Sequence, residues 1–208
     1  MRVKICGITC REDAQFALAA GADAIGINLY PGSKRYLDLP LAVAWLSELP
    51  RELKVVAVMV NPTREEALRI ARLPFVEGLQ LHGSETPEFC RALAEEGVRF
   101  AKALPVTDGK SLGSALRYAT DTLVLDAQSG GEFGGTGKTF PWRFAGEFAA
   151  ENPDARIVLA GGLSPDNVAE AVKAVRPFAV DVTTGVELSP GRKDHGKIRA
   201  FIVAALEA

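Results

Sequence analysis

The stretch Arg156–Glu187, RIVLAGGLSPDNVAEAVKAVRPFAVDVTTGVE, holds two β-rich runs separated by one segment of helical period. The first run, 156–160, leads into Ala160-Gly161-Gly162-Leu163. The second, 179–183, leads into Thr183-Thr184-Gly185-Val186-Glu187. Between them, Pro165 to Val175 spaces its aliphatic side chains as one face of a helix. A strand, a loop, a helix and a second strand make the repeating unit of a parallel sheet, because parallel neighbours need a long crossover, usually helical.

The same unit recurs all the way back to the N-terminus. Further β-rich runs lie near 2–6, 24–29, 54–60, 78–82, 99–104 and 122–126. Helical periodicity marks Glu12 to Ala20, Pro40 to Leu49, Thr63 to Leu73 and Thr86 to Glu96, then Gly109 to Tyr118, Pro141 to Ala150 and Asp194 to Leu206. No Pro/Gly/Ser-rich linker interrupts the series, so residues 1–208 read as one domain. Rossmann and flavodoxin-like sheets use five or six such units; eight predict a single α/β fold of the (β/α)₈ TIM-barrel kind. The 208 residues and 22.1 kDa lie at the short end for that fold but still bury a full core. Helix starts agree with this parsing. Thr9-Cys10-Arg11-Glu12 has the capping-box spacing, and Pro40, Pro62, Pro87 and Pro165 stand near helix starts, where a missing N–H costs little.

Alternation along each strand then assigns the two faces. Val3 and Ile5, Leu79 and Leu81, Leu123 and Leu125, and Val180 and Val182 form the aliphatic, helix-facing set. Lys4 and Cys6, Gln80 and His82, Thr122, Val124 and Asp126, and Asp181 and Thr183 face the interior. Barrel enzymes build their sites at the C-terminal strand ends. Those ends read Cys6, Asn28, Asn61, His82, Asp126, Gly161-Gly162 and Thr183-Thr184-Gly185.

Two glycine-bearing loops after the last two strands predict a phosphate site, since glycine lets backbone N–H groups approach an anion closely. Cys6, at a strand end beside Gly7 and near a helix N-terminus, has a setting that lowers a thiol pKa; the plain alternative is a small core residue. Asp126 is an inward carboxylate at a catalytic strand end, with loop capping as its plain reading. Lys4 and Asp181, on neighbouring inward faces, predict an interior ion pair. His82 is divided between a satisfied structural histidine and a substrate contact. Arg35, in the basic loop Tyr30–Tyr36, has the planar fork that clamps a carboxylate, although a solvated loop charge is the simpler reading from local sequence. The run Glu132–Thr139 lacks the spacing of a nucleotide phosphate loop and reads instead as a mobile lid.

Composition narrows the partners. A net charge of −2 gives no reason to expect nucleic acid or an anionic membrane. The N-terminus shows no apolar signal region, and no apolar run reaches the roughly 18 residues of a membrane span. The expectation is a cytoplasmic protein without membrane partners. Three cysteines with no accompanying Cys/His pair predict neither a disulfide framework nor a metal site. Sparse Asn and Gln beside many Arg and Pro match thermostable proteins, among which dimers are common, so a homodimer stays open.

Lys4-Ile5-Cys6-Gly7-Ile8-Thr9, Ser33-Lys34-Arg35-Tyr36, Gln80-Leu81-His82-Gly83, Gly134–Thr139, Ala160–Leu163 and Val180–Glu187 together resemble the phosphoribosylanthranilate isomerase family, in order and over essentially the whole chain. The resemblance implies a barrel of the ribulose-phosphate-binding type and an Amadori rearrangement in tryptophan biosynthesis, with a small phosphorylated substrate and no cofactor. It further implies Cys6 as general base, Asp126 as general acid and Arg35 on the anthranilate carboxylate. Gly161, Gly162, Thr184 and Gly185 would hold phosphate; His82 and Asp181 are counted as further substrate-side groups from their inward positions at the site, not from the resemblance. Two departures stand out: Asn28-Leu29 where an aromatic residue is usual, and Thr183-Thr184 where paired serines are common. A histidine-pathway isomerase, which uses two aspartates, fits less well because of Cys6. A non-catalytic phosphate sensor would not need both Cys6 and Asp126.

Overall fold

The computed structural model describes residues 1–127 and 139–208. Eight parallel strands close on themselves in sequence order: β1 (Arg2–Cys6), β2 (Ala24–Asn28), β3 (Lys54–Met59), β4 (Val76–Leu81), β5 (Phe100–Val106), β6 (Thr122–Ala127), β7 (Arg156–Leu159) and β8 (Ala179–Val182). Around them run α1 (Arg11–Ala19), α2 (Leu39–Ser47), α3 (Arg64–Ala71), α4 (Pro87–Glu95), α5 (Arg143–Glu151), α6 (Val168–Val175) and α7 (His195–Leu206). A short antiparallel hairpin, β9 (Glu187–Ser189) with β10 (Arg192–Lys193), follows β8 and was not foreseen from the sequence.

The aliphatic set packs as predicted between sheet and helices: Ile5, Leu79, Leu81, Leu123, Leu125 and Val180 are wholly buried there. Each such side chain is worth roughly 1.5–3 kcal/mol on removal from water. Inside the barrel a second, smaller cluster of Ala103, Val124, Val158, Ala160 and Ala179 forms an apolar layer. The buried polar residues Lys4, Gln80 and Asp181 also lie inside, brought together by strand register. The expected ion pair is present, with Lys4 Nζ 2.6 Å from Asp181 Oδ2.

Three expectations fail for local physical reasons. Gly109–Tyr118 is not a helix but two 3₁₀ turns, Gly109–Leu112 and Ala115–Tyr118. Ser111 donates from its backbone to Asp108 Oδ1 and from its hydroxyl to the Asp108 carbonyl, and such local bonds compete with helix propagation. Thr9 does not cap α1. Its hydroxyl donates to the Gly191 carbonyl at 2.6 Å, tying the chain to the hairpin turn, and Cys10 stands at the N-cap without a side-chain bond. The capping box occurs instead at Thr63 and Glu66 of α3. Finally, α6 begins at Val168 rather than at Pro165. Asn167 accepts from Ser164 N–H and donates to the Gly162 carbonyl, so its side chain organises the glycine loop ahead of the helix. The segment expected to form a lid falls almost wholly at 128–138, outside the described residues.

Candidate active site

The C-terminal strand ends open onto a cavity of about 400 Å³. Every predicted site residue lines it: Cys6, Arg35, His82, Asp126, Gly161, Gly162, Asp181, Thr184 and Gly185. They come from β1, β6 and β8 and from the loops after β2, β4, β7 and β8, so no local stretch of sequence contains the site.

Glycine shapes the floor and the wall formed by the loops after β7 and β8. Cys6 pairs in register with Gly26 of β2, where a Cβ would lie only 2.5 Å from the thiol sulfur. Gly161, at φ +81°, has a left-handed backbone that presses against the end of β6; a Cβ there would meet Asp126 Oδ1 at 2.8 Å. At Gly185 a side chain would run into the Leu163 carbonyl, so the loops after β7 and β8 are packed backbone against backbone.

The thiol departs from expectation. Burial pushes Cys6 up from its ordinary value, and Asp181 adds to that rise; the ammonium groups of Lys4 and Lys193 pull it down without prevailing. The net rise runs contrary to the sequence reading of a lowered thiol. On the other side of the cavity, Asp126 Oδ2 stands 3.3 Å from His82 Nε2. His82 is thus both cavity-lining and internally bonded, through Nδ1 to Gln80 Nε2 at 3.0 Å.

Arg35 is no solvated loop charge. Its side chain is 12% exposed, and its Nε and NH2 donate to both oxygens of Glu187 at 2.8–3.2 Å. NH2 also lies 3.3 Å from Thr184 Oγ1. Lys193 Nζ reaches Glu187 Oε1 at 3.1 Å and the Thr183 carbonyl at 3.3 Å. Burial alone would raise the Glu187 carboxyl, but Arg35 and Lys193 hold it below its usual range. The buried Lys193 ammonium is itself pushed down by burial, against the pull of Glu187. Sequence reasoning missed this pair. The acid directly after Thr184-Gly185-Val186 was the available signal for Glu187, whereas nothing local marks Lys193. Asn28 also faces the cavity, its Oδ1 accepting from Tyr30 N–H, so it shapes the loop that carries Arg35.

A barrel with an acid, a thiol and two tight glycine loops on one cavity fits several isomerases; comparison with known sequences decides among them. The family described as N-(5'phosphoribosyl)anthranilate (PRA) isomerase matches residues 3–204. The chain belongs to this family. The N-(5'-phosphoribosyl)anthranilate isomerase of Trichlorobacter lovleyi is 45% identical over 208 residues, covering 100% of this chain and 99% of that protein. Monomers generated from the dimeric phosphoribosylanthranilate isomerase of Thermotoga maritima superpose with a TM-score of 0.87 at 40% identity, with 100% of each chain covered. A phosphoribosyl anthranilate isomerase in complex with reduced 1-(o-carboxyphenylamino)-1-deoxyribulose 5-phosphate gives 0.86 at 40% identity, again over 100% of each chain. As a member of the family, the chain is an isomerase of tryptophan biosynthesis.

Among the described residues, no helix is long and apolar enough to cross a membrane.

Proposed function

We propose that residues 1–208 act as one catalytic domain that converts N-(5-phosphoribosyl)anthranilate to 1-(2-carboxyphenylamino)-1-deoxyribulose 5-phosphate, with Asp126 as general acid and Cys6 as general base. The observation that carries this reading is the placement of Cys6, Asp126, Arg35 and both glycine loops on a single cavity. Asp126 gives its proton to the furanose ring oxygen, the C1–O bond breaks, and the nitrogen lone pair closes an iminium ion. The Cys6 thiolate then takes the proton from C2, and the C–H electrons form the C1–C2 double bond while the iminium is neutralised. The enolamine then takes a proton at C1 from the Cys6 thiol and gives the one on its C2 oxygen to the Asp126 carboxylate, which restores both groups and leaves the ketone.

The raised thiol makes Cys6 a strong base present at low fraction near neutral pH, with Lys4 and Lys193 offsetting only part of its desolvation. Arg35, already fixed by Glu187, receives the anthranilate carboxylate. The Gly161-Gly162 and Thr184-Gly185 loops receive the phosphate, while His82 and Asp181 line the sugar between them. Holding the substrate at both ends supplies most of the rate, because the chemistry is internal to one molecule. Neither nucleic acid nor a membrane is a partner in this reading. The protein works in the cytoplasm as a homodimer, as the dimeric relative supports.

The test is the decay of substrate fluorescence on mixing freshly made phosphoribosyl anthranilate with enzyme. Cys6→Ala and Asp126→Asn should each lower kcat by roughly 10²–10⁴-fold, with substrate affinity changed far less. Near-normal turnover in a folded Cys6→Ala protein would rule out the thiolate and return the C2 proton to another acceptor, with Asp181 the first to examine.

A further inference from the structure

Beside the cavity, five side chains form one connected row: Asp181 of β8, Lys4 of β1, Gln80 of β4, His82 just after β4, and Asp126 of β6. Asp181 Oδ2 accepts from Lys4 Nζ at 2.6 Å, and the same ammonium donates to Gln80 Oε1 at 2.8 Å. Gln80 Nε2 meets His82 Nδ1 at 3.0 Å, and His82 Nε2 faces Asp126 Oδ2 at 3.3 Å. Lys4, Gln80 and Asp181 are all buried.

The chemistry of each link fixes the next. An ammonium has donors and no acceptor, so the Gln80 atom facing Lys4 must be its carbonyl oxygen. That settles the orientation of the amide, an assignment that otherwise rests on the surrounding network. The other end of the amide is then an NH₂ group, a donor only, and His82 Nδ1 must be the acceptor. The proton of a neutral imidazole therefore sits on Nε2, the nitrogen aimed at Asp126. With Oδ2 facing that N–H, Oδ1 is the oxygen left to carry the transferable proton. It lies on the Gly161 side, where a Cβ would come within 2.8 Å of it.

A second buried pair steadies the backbone around His82. Lys102 Nζ donates to the Leu81 carbonyl at 3.2 Å, to the Gly83 carbonyl at 2.8 Å and to Glu85 Oε2 at 2.9 Å. Glu85 in turn accepts from the N–H groups of Gly83 and Asn61. The ring is thus held from both its nitrogen atoms and its main chain.

We propose that Gln80 is a positioning residue: oriented by Lys4, it selects the neutral Nε2–H tautomer of His82, which turns the Asp126 carboxyl so that Oδ1 delivers the proton. The proposal rests on the reading of Asp126 as the acid. When the proton leaves Oδ1 for the substrate oxygen, the new carboxylate is met by the Nε2–H already aimed at it, so no reorganisation is needed at that moment.

The sequence has two histidines, His82 and His195, so protein labelled with ¹⁵N-histidine shows only two rings. A His82→Gln sample assigns them. In the wild type, His82 should show a protonated, pyrrole-type Nε2 and an unprotonated, pyridine-type Nδ1. Gln80→Glu should exchange the two patterns, because a carboxylate at that place accepts from Nδ1–H. Gln80→Met, which neither donates nor accepts there, should mix the tautomers. It should also lower kcat by about tenfold, the worth of one such hydrogen bond, while KM stays within about threefold. A protonated Nδ1 in the wild type overturns the proposal whatever the variants do. So does a Gln80→Met protein that keeps both tautomer and kcat. Full activity in Asp126→Asn would sink the acid assignment and, with it, delivery from Oδ1, whereas the control of the His82 tautomer by Gln80 is read without turnover and stands or falls by the NMR result.

Discussion

Removing the Lys4 ammonium tests how the barrel tolerates charge in its interior. Burial alone would push this ammonium down; the Asp181 carboxylate and Cys6 overcome that and hold it above its ordinary value of 10.5. The sign follows: the stabilisation is fully present below that pH and is lost only as pH rises through the still higher value in the fold. In Lys4→Met, the buried Asp181 carboxyl loses its cation. Its Oδ1 already lacks a hydrogen-bond partner among the described residues, and Gln80 Oε1 is orphaned as well. Breaking a buried pair by removing one partner costs about 3–5 kcal/mol. For a protein of this size, each kcal/mol moves Tm by about 2–4 °C, so the expected fall is roughly 6–20 °C. Urea unfolding followed by circular dichroism gives the free energy directly. The companion variant Lys4→Met/Asp181→Leu removes both charges and should recover most of the loss, leaving a coupling energy of at least about 2 kcal/mol in the double-mutant cycle. A single variant costing under about 1 kcal/mol, or a double variant as poor as the sum of its parts, would refute the reasoning.

Two other expectations follow from particular side chains. Arg35→Ala should weaken binding of an anthranilate-bearing product analogue by roughly 2–5 kcal/mol, since the guanidinium is largely shielded, and Arg35→Lys should recover little because an ammonium cannot reproduce the fork held by Glu187; calorimetric titration showing unchanged affinity would leave Arg35 with a structural role only. Burial raises the Cys90 thiol from 9.0 to about 11, so the folded state holds its proton longer than the unfolded chain does. The resulting stability, on the order of 2 kcal/mol, is present below about pH 9 and lost as pH rises towards 11. Comparing urea midpoints at pH 8 and 10.5 should show a smaller alkaline loss in Cys90→Ala than in the wild type, and equal losses would contradict it.

Some of this was legible in one dimension. Period-2 alternation assigned Val3 and Ile5 to the helix face and Lys4 and Cys6 to the interior, because a strand side chain's face depends only on its parity. The count of strand–helix units gave the closed barrel, and the strand ends gave the residues around its mouth. What the sequence could not rank was competition between partners. Thr9 had a good capping partner in Glu12, yet its hydroxyl found the Gly191 carbonyl, 182 residues away. Cys6 had a helix start nearby, yet burial beside Asp181 outweighed it and raised the thiol. Arg35 looked like a loop charge until the hairpin after β8 brought Glu187 against it. Local sequence determined which faces and strand ends each side chain would occupy, because those follow from backbone geometry alone. Charge states, tautomers and the orientation of each fork depend on which dipoles and charges crowd into one small, dry volume, and only closure of the barrel set that company.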